Sequence, residues 1–275
     1  MSIKLIAVDM DGTFLDDNKN YNRARFAEQY QQMKTQGIRF VVASGNQYFQ
    51  LISFFPEIAS ELSFVADNGA WVVSEGESLF NARLKPEDFL TVTEHLLDQP
   101  HLQVIACGKK SAYILNSCDD DFKQTAARFY HRLAHRESFT GIDDCMFKFA
   151  LSLPDSLLDD AMDSLTHELK RIMVPVTSGH GSIDLIIPGA HKAHGLSILQ
   201  QKWGINDSEV VSFGDGGNDI EMLRQAGFSF AMGNAPEKIK QVARFQTDHC
   251  NQQGVLNVID KILQKEFPFN LDNHH

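Results

Sequence analysis

The stretch that decides the fold is Ile3-Lys4-Leu5-Ile6-Ala7-Val8-Asp9-Met10-Asp11-Gly12-Thr13. Its first six residues are mostly apolar and rich in β-branched side chains, and they are too few for a stable helix. We therefore predict a short strand that is buried on both faces. Two carboxylates, Asp9 and Asp11, follow the strand directly. Ligands of open parallel sheets bind beyond the carboxyl ends of the strands, so this stretch predicts a ligand site as well as a strand.

The sequence outside this stretch alternates between apolar strands and helical segments at both ends of the chain. Strand, helix and strand joined by short loops are typical of a parallel sheet with crossover helices. The fold class predicted is therefore α/β, with a Rossmann-like, doubly wound parallel sheet as its core. The strands and helices that support this prediction cover residues 3–8, 22–36, 38–43, 63–66, 192–203, 210–213 and 228–232.

The middle of the chain has a different order of elements. Residues 83–187 read as α-β-β-α-β-α-β-β, which favours an antiparallel sheet with helices on one face. We predict that this segment is an inserted α+β cap domain, and that residues 1–82 and 188–275 form the core domain. The chain would cross between the domains near 82–84 and 187–190, and two short crossings are the geometry of a hinge.

Composition and charge exclude several classes of protein. The 275 residues include 25 Lys and Arg against 36 Asp and Glu, a formal net charge of -11. Such a surface repels nucleic acid and anionic lipid, so we expect neither as a partner. The four cysteines show no metal-binding or disulfide spacing. Without a signal peptide or a membrane-spanning stretch, the expected location is the cytoplasm, and no obligate protein partner is indicated.

Polar residues stand at three further places where an apolar strand ends or a helix begins. Ser44 and Gly45 follow the second predicted strand, Asp215 and Asp219 follow a later one, and Lys192 begins the helix after the inserted segment. If the strands form one parallel sheet, these residues converge with Asp9 on one crevice.

The chemistry of these residues points to a phosphoryl group. Asp9, Asp215 and Asp219 in one small space would repel each other and take up protons unless a cation lay between them. Mg²⁺ prefers carboxylates, water and phosphate oxygens as ligands. Lys192 adds a positive charge, and glycine-rich turns leave backbone amides free to face an anion. A metal, a lysine and amide donors around one point are typical of a phosphoryl-transfer site.

These residues, in this order, resemble the four motifs of the haloacid dehalogenase-like hydrolases. The run from Asp9 to Thr13 resembles the first motif, Ser44 the second, Lys192 the third, and the run from Gly214 to Asp219 the fourth. The interval between Ser44 and Lys192 has room for a whole domain, which fits the cap position of the Cof-type subgroup. Within that subgroup the chain is most similar to bacterial sugar-phosphate phosphatases, through residues 42–47, 67–70, 183–188 and 229–234.

The resemblance implies a role for each carboxylate. Asp9 would be the nucleophile that forms an aspartyl phosphate. Asp11 would protonate the leaving alkoxide and later take a proton from the attacking water. Mg²⁺ would be held by the Asp9 carboxylate, the main-chain oxygen of Asp11 and Asp215.

It also implies the residues that hold the phosphoryl group. Ser44, the amide of Gly45, Lys192 and Asn218 would contact the phosphoryl oxygens. Asp219 would orient either Lys192 or a metal-bound water.

The predicted function is Mg²⁺-dependent hydrolysis of small sugar phosphates through an aspartyl phosphate. Three alternatives stay open: flavin mononucleotide or pyridoxal phosphate as the substrate, transfer of the phosphoryl group to another sugar, and a non-catalytic sugar-phosphate sensor. Asp9 and Asp11 argue against the sensor, since binding alone needs neither a nucleophile nor an acid. The physiological substrate, the oligomeric state and the cellular role do not follow from the sequence.

Two departures from the family pattern and one loop bear on specificity. Asn46 stands where many Cof-type proteins have arginine, which favours an uncharged polyol, and Gly217 would loosen the Asp215 loop. Substrate choice should lie with the cap. The loop at 177–181 either reads sugar hydroxyls through Ser178 and His180 or is simply a hairpin turn.

Overall fold

The computed structural model describes residues 2–169, 171–179 and 182–270, with backbone only at 178 and 179. Its strands are β1 (Leu5–Val8), β2 (Arg39–Ala43), β3 (Ser63–Ala66), β4 (Trp71–Ser74), β5 (Glu77–Asn81), β6 (Gln103–Gly108), β7 (Ala112–Leu115), β8 (Leu133–Arg136), β9 (Met146–Ser152), β10 (Val174–Gly179), β11 (Ser182–Ile186), β12 (Val210–Gly214), β13 (Phe228–Ala231) and β14 (Phe245–Gln246). Its helices are α1 (Arg23–Thr35), α2 (Tyr48–Ser53), α3 (Pro86–Leu97), α4 (Asp120–Phe129), α5 (Leu158–Leu169), α6 (Lys192–Trp203), α7 (Ile220–Gln225), α8 (Glu237–Lys240) and α9 (Gly254–Gln264).

An eight-stranded sheet forms the core and has the order β14-β13-β12-β1-β2-β3-β4-β5. The strands from β14 to β3 are parallel, and β1 lies between β12 and β2, with Leu5 opposite both Val210 and Arg39. Residues 3–13 thus provide a strand at the centre of the sheet, and the predicted α/β fold is confirmed.

Alternate residues of the parallel strands face opposite layers of helices. Ile6 and Val8 pack towards α1 and α9, whereas Leu5 and Ala7 pack towards α6 and α7. Burial on both faces explains why these strands are continuously apolar, because neither face meets water.

The antiparallel pair β4–β5 at one edge of this sheet was not predicted. Its two-residue turn is Glu75-Gly76, and both residues have positive φ, as the preferred tight hairpin turn requires. Glutamate is not a typical residue for that conformation, so the turn gave no recognisable signal.

A second, six-stranded sheet has the order β10-β11-β9-β6-β7-β8. It is antiparallel except for the pair β7–β8, and β8 was not predicted because its sequence, Leu-Ala-His-Arg, is short and polar. The expectation that all helices lie on one face was wrong. Helices α3 and α5 pack on one face, while Phe122 and Ala126 of α4 pack with Ile105 and Ala150 on the other.

The two sheets are drawn from separate parts of the chain. The strands of the core sheet lie within residues 5–81 and 210–246, and those of the second sheet lie within 103–186. We therefore propose residues 1–82 and 188–275 as the core domain and 83–187 as the cap domain. In the part of the chain that the structure describes, no helix is long and apolar enough to cross a membrane.

Candidate active site

The carboxyl ends of β1, β2 and β12 border a cavity of about 270 Å³ between the core and the cap. Six of the residues predicted from the sequence line it: Asp9, Asp11, Ser44, Gly45, Asp215 and Asn218. The other two, Lys192 and Asp219, are buried directly behind Asp9. The structure thus brings all eight residues together, although they come from four separate segments of the chain.

Lys192 lies at the centre of this group. Its Nζ is 2.6 Å from Asp9 Oδ1 and 2.7 Å from Asp219 Oδ1, and the residue is only 1% exposed. Burial alone would lower the pKa of this lysine, but the carboxylates of Asp219 and Asp9 outweigh it and raise the pKa above its ordinary value. Lys192 therefore stays positively charged beside Asp9.

The surroundings of Asp9 disfavour the ionised form of its carboxyl group. Burial raises its pKa well above the ordinary value, Lys192 opposes this rise, and Asp219 and Asp215 add to it. Burial and Asp219 also raise the pKa of Asp215, to about 6. A buried and a half-buried carboxyl with raised pKa values, close together, are typical of a site that binds a cation.

The donor set fits a hard divalent metal ion. Carboxylate oxygens of Asp9, Asp215 and Asp219 lie within 4.8 Å of one another. However, Asp219 Oδ1 faces Lys192, and its Oδ2 accepts hydrogen bonds from the amides of Asp215 and Gly216 at 3.0 and 2.9 Å. This leaves Asp9 and Asp215 as the carboxylates available to a metal, and oxygen ligands of this kind suit Mg²⁺.

Two residues to which the sequence analysis gave no role hold Asp215 in place. Thr13 Oγ1 donates to Asp215 Oδ1 at 2.9 Å. Asn234 Nδ2 donates to Asp215 Oδ2 at 3.4 Å and to the main-chain oxygen of Gly12 at 2.7 Å. Gly12 itself has φ +71°, and a Cβ there would overlap the Asp215 carboxylate. Glycine is therefore required at position 12 on both grounds.

Asp11 is oriented by two donors at the mouth of the cavity. Asn46 Nδ2 donates to Asp11 Oδ2 at 2.7 Å, and Lys19 Nζ donates to Asp11 Oδ1 at 2.6 Å. The amide of Asn46 also donates to Ser44 Oγ at 3.1 Å. Asn46 thus links the first and second motifs, and Lys19 is a cavity residue that the sequence analysis did not find.

The segment that follows Ser44 is attached to the cap at three points. Lys148 Nζ, from β9, donates to the main-chain oxygen of Gly45 at 2.6 Å. The side-chain amide of Gln47 makes two hydrogen bonds with the backbone of Arg132, of 2.8 and 2.9 Å. The guanidinium of Arg132 lies 3.6 Å from the ring centroid of Phe49. The loop that contains the predicted phosphoryl-binding residues Ser44 and Gly45 is therefore held by hydrogen bonds and an aromatic contact from the cap.

Lys148 belongs to a buried charged cluster between the two domains. It is 1% exposed, and its Nζ is 3.4 Å from Asp67 Oδ1 and 3.5 Å from Asp184 Oδ2. Burial opposes its charge, but Asp184 and other neighbours raise its pKa well above the ordinary value, so it stays charged. Burial raises the pKa of Asp67 to about 6.

This cluster reaches the predicted phosphoryl contact Asn218. Asn68 Nδ2 donates to Asp184 Oδ2 at 2.6 Å, and Asn218 Nδ2 donates to Asn68 Oδ1 at 2.9 Å. A lysine inside the apolar strand Met-Phe-Lys-Phe-Ala-Leu-Ser was the sequence signal that could have revealed the cluster.

The cap also approaches the loop that holds Asp215. A Cβ at position 217 would lie 2.7 Å from Thr177 Oγ1, so Gly217 permits close contact with β10. His180 lies outside the described residues, as does the side chain of Ser178. The suggestion that this loop reads sugar hydroxyls therefore stays a prediction.

Comparison with known proteins shows the family. The sequence matches the haloacid dehalogenase-like hydrolase family over residues 6–259. It is 61% identical over 269 residues to the 5-amino-6-(5-phospho-D-ribitylamino)uracil phosphatase YbjI of Escherichia coli, covering 98% of this chain and 99% of that protein. It is 26% identical over 264 residues to YcsE of Bacillus subtilis, a phosphatase of the same name, covering 94% and 95%.

A solved structure agrees in fold. SMU.1108c from Streptococcus mutans is 35% identical to this chain and superposes with a TM-score of 0.92. The match covers 96% of this chain and 100% of that protein. The family predicted from the four motifs is therefore confirmed over almost the whole chain. The chain belongs to the haloacid dehalogenase-like hydrolases, and it is a phosphoric monoester hydrolase.

Proposed function

We propose that this protein is a Mg²⁺-dependent phosphatase whose substrate is a phosphorylated polyol joined to a uracil-type ring. The observation that carries the chemistry is the placement of Asp9 against Lys192, at 2.6 Å, with Asp11 and Asp215 facing the same cavity. The substrate class rests on the relative that is 61% identical, whose name specifies a phospho-ribitylamino uracil. It is a narrower form of the sugar phosphate predicted from the sequence.

Asp9 would act as the nucleophile. Lys192 holds Oδ1 of Asp9 and leaves Oδ2 to attack phosphorus. A new bond forms between Oδ2 and phosphorus as the bond from phosphorus to the leaving oxygen breaks, which gives an aspartyl phosphate. A Mg²⁺ ion held by Asp9, Asp215 and the main-chain oxygen of Asp11 would supply positive charge that lets two anions approach.

Asp11 would move the protons. Asn46 and Lys19 each bind one of its oxygens and so fix the plane of the carboxyl group. In the first step, protonated Asp11 gives its proton to the departing alkoxide. In the second, the carboxylate takes a proton from the water that attacks the aspartyl phosphate, and inorganic phosphate leaves.

The phosphoryl oxygens would be held by Ser44, the amide of Gly45, Lys192 and Asn218. Ser44 is buried, and its backbone amide donates a hydrogen bond to the main-chain oxygen of Val65. The sheet therefore sets the position of Ser44. Asp219 supports Lys192 and the amides of the Asp215 loop, which agrees with the first of the two roles predicted for it.

Several of the earlier alternatives are retained for testing. Membership of an enzyme family removes the reason to propose a non-catalytic sensor. Flavin mononucleotide also carries a phosphorylated ribityl chain on a heterocycle, and it stays a candidate together with pyridoxal phosphate. Phosphoryl transfer from the aspartyl phosphate to another sugar rather than to water also stays an alternative. A cytoplasmic location stays a prediction from the sequence.

The test is a panel of phosphate esters assayed with Mg²⁺. We expect the highest kcat/KM on 5-amino-6-(5-phospho-D-ribitylamino)uracil, with lower values on ribitol 5-phosphate, flavin mononucleotide and pyridoxal phosphate. Asp9→Asn is the control for contaminating phosphatases. A preference for simple hexose or pentose phosphates would instead support the broader sequence prediction and overturn the substrate proposed here.

A further inference from the structure

The core domain and helix α4 line the cavity with side chains of different character. The core contributes the charged groups Asp9 and Asp215. Helix α4 of the cap contributes Phe122, Ala126 and Phe129. A cavity of this kind suits a ligand with an anionic group at one end and an apolar group at the other.

The position of α4 explains the apolar part of the cavity lining. Phe122, Ala126 and Phe129 are spaced by four and three residues, so they share one side of the helix. Ala126 is buried against the face of the second sheet that carries Ile105 and Ala150, and that face is turned towards the core domain. The same side of α4 therefore both fastens the helix to the sheet and borders the cavity.

Phe129 is the most informative residue of this wall. It is 40% exposed although it is a large aromatic side chain, and it lines the cavity. Exposed aromatic surface is unfavourable in water and becomes favourable when a flat apolar group covers it. Phe122 and Ala126 of the same helix pack into a hydrophobic cluster with the second sheet, whereas Phe129 belongs to none of the hydrophobic clusters formed by the described residues.

Polar side chains of the cap also line the cavity. Register across the second sheet places Ser152 opposite Ser182, and Asp184 opposite Ala150. These two serines and Asp184 line the cavity together with Lys148. Hydroxyl and carboxylate groups at this point can accept or donate hydrogen bonds to the hydroxyls of a polyol chain.

We propose that Phe122 and Phe129 of α4, together with Ile105 of β6, form a subsite for a planar heteroaromatic ring. The ring stacks on Phe129, the polyol passes Asp184 and the serines, and the phosphate reaches Asp9. This inference rests on the proposed function, since it assigns the ring of the proposed substrate to particular side chains. It adds a specificity-determining surface that is independent of the 177–181 loop.

The experiment compares two esters with the same ribityl phosphate chain, one of which carries the aminouracil ring in place of the terminal hydroxyl. Phe129→Ala should lower kcat/KM for 5-amino-6-(5-phospho-D-ribitylamino)uracil by roughly fivefold to thirtyfold, the loss of one stacked contact and its buried area. It should leave kcat/KM for ribitol 5-phosphate within about twofold, because that ester has no ring to stack. Phe129→Tyr keeps the ring and should retain the preference.

The matched control is Phe267→Ala. Phe267 is 62% exposed and packs beside Phe245, outside the cavity lining, so its substitution should change neither ester. If Phe129→Ala lowers both esters equally, or neither, while the wild-type protein prefers the ring-bearing ester, the subsite is refuted and the proposed function stands.

A binding measurement can support the ring subsite even if the proposed substrate is wrong. The dephosphorylated product, 5-amino-6-(D-ribitylamino)uracil, should inhibit hydrolysis of acetyl phosphate by the wild-type protein and inhibit Phe129→Ala several-fold more weakly. Inhibition that depends on Phe129, without turnover of the phosphorylated compound, would support the subsite and overturn the proposed function. No inhibition and no preference for the ring would overturn both.

Discussion

The hydrogen bonds between Gln47 and the backbone of Arg132 should control how well the cap stays closed over a bound substrate. Gln47→Ala removes two neutral hydrogen bonds, of 2.8 and 2.9 Å, that join the segment after Ser44 to the cap. Each is worth about 0.5–1.5 kcal/mol net, so the closed form should lose about 1–3 kcal/mol relative to an open one. That loss corresponds to a fall of roughly fivefold to 150-fold in kcat/KM for a substrate that needs the closed cap.

The assay is steady-state kinetics with two substrates. The loss should be seen in full with the phospho-ribitylamino uracil, whose ring and polyol meet the cap. It should be less than about threefold with acetyl phosphate, which is too small to gain from cap contacts. The melting temperature is measured in parallel, so that an effect on folding is recognised.

Gln50→Ala is the matched control for this prediction. Gln50 is also buried and lies on α2, three residues after Gln47, yet among the described residues its side chain makes no hydrogen bond to the cap. It should leave the ratio of the two kcat/KM values unchanged. If Gln47→Ala leaves that ratio unchanged as well, or lowers both substrates equally, the attachment at Gln47 does not control cap closure.

Three further predictions concern single residues of the site. Asp11→Asn should lower kcat/KM for polyol phosphates by about 10²–10⁴-fold and for acetyl phosphate far less, because kcat/KM reports the first step, in which only the alkoxide needs a proton to leave; equal losses in kcat/KM would remove Asp11 from the role of proton donor. The buried carboxyl of Asp67 has its pKa raised from 3.8 to about 6, so its favourable contribution to stability is complete below 3.8 and is lost as the pH rises through about 6. Asp67→Asn should therefore gain up to roughly 3 kcal/mol relative to the wild type between pH 4 and pH 7, and urea unfolding that shows a pH-independent difference would contradict this. Gly12→Ala should raise the Mg²⁺ concentration needed for half-maximal activity, because its Cβ overlaps Asp215, whereas Gly189→Ala, with similar positive φ and open space around it, should only lower stability by about 1–2 kcal/mol; equal Mg²⁺ requirements in both variants would exclude the overlap as a cause.

The convergence of the predicted site residues could be foreseen from the sequence because these residues occupy fixed places relative to parallel strands. Asp9, Ser44 and Asp215 each follow an apolar strand, and strands of this type end at one edge of a sheet. Lys192 could be added because it begins a helix that packs beneath the same edge. Convergence of these four residues therefore follows from the strand pattern, together with the motif order.

The residues that connect the core to the cap could not be predicted in the same way. Lys148 lies in the middle of a cap strand, and Asp67 and Asp184 are far from it in sequence, so their pairing depends on how the two domains meet. Gln47 binds backbone atoms of Arg132, and a backbone partner leaves no trace in side-chain patterns. The side of the cap sheet that α4 covers likewise depends on tertiary packing.

The central claim is that Asp9 accepts the phosphoryl group. The direct test is acid quenching of the wild-type protein during turnover with Mg²⁺, followed by mass spectrometry of the peptide that contains Asp9 and Asp11. We expect one phosphoryl group on Asp9 in the wild type and in Asp11→Asn, where its hydrolysis is slowed, and none in Asp9→Asn, which should be inactive. Turnover that survives Asp9→Asn with Mg²⁺ present, or a phosphoryl group found on another residue, would contradict the covalent mechanism.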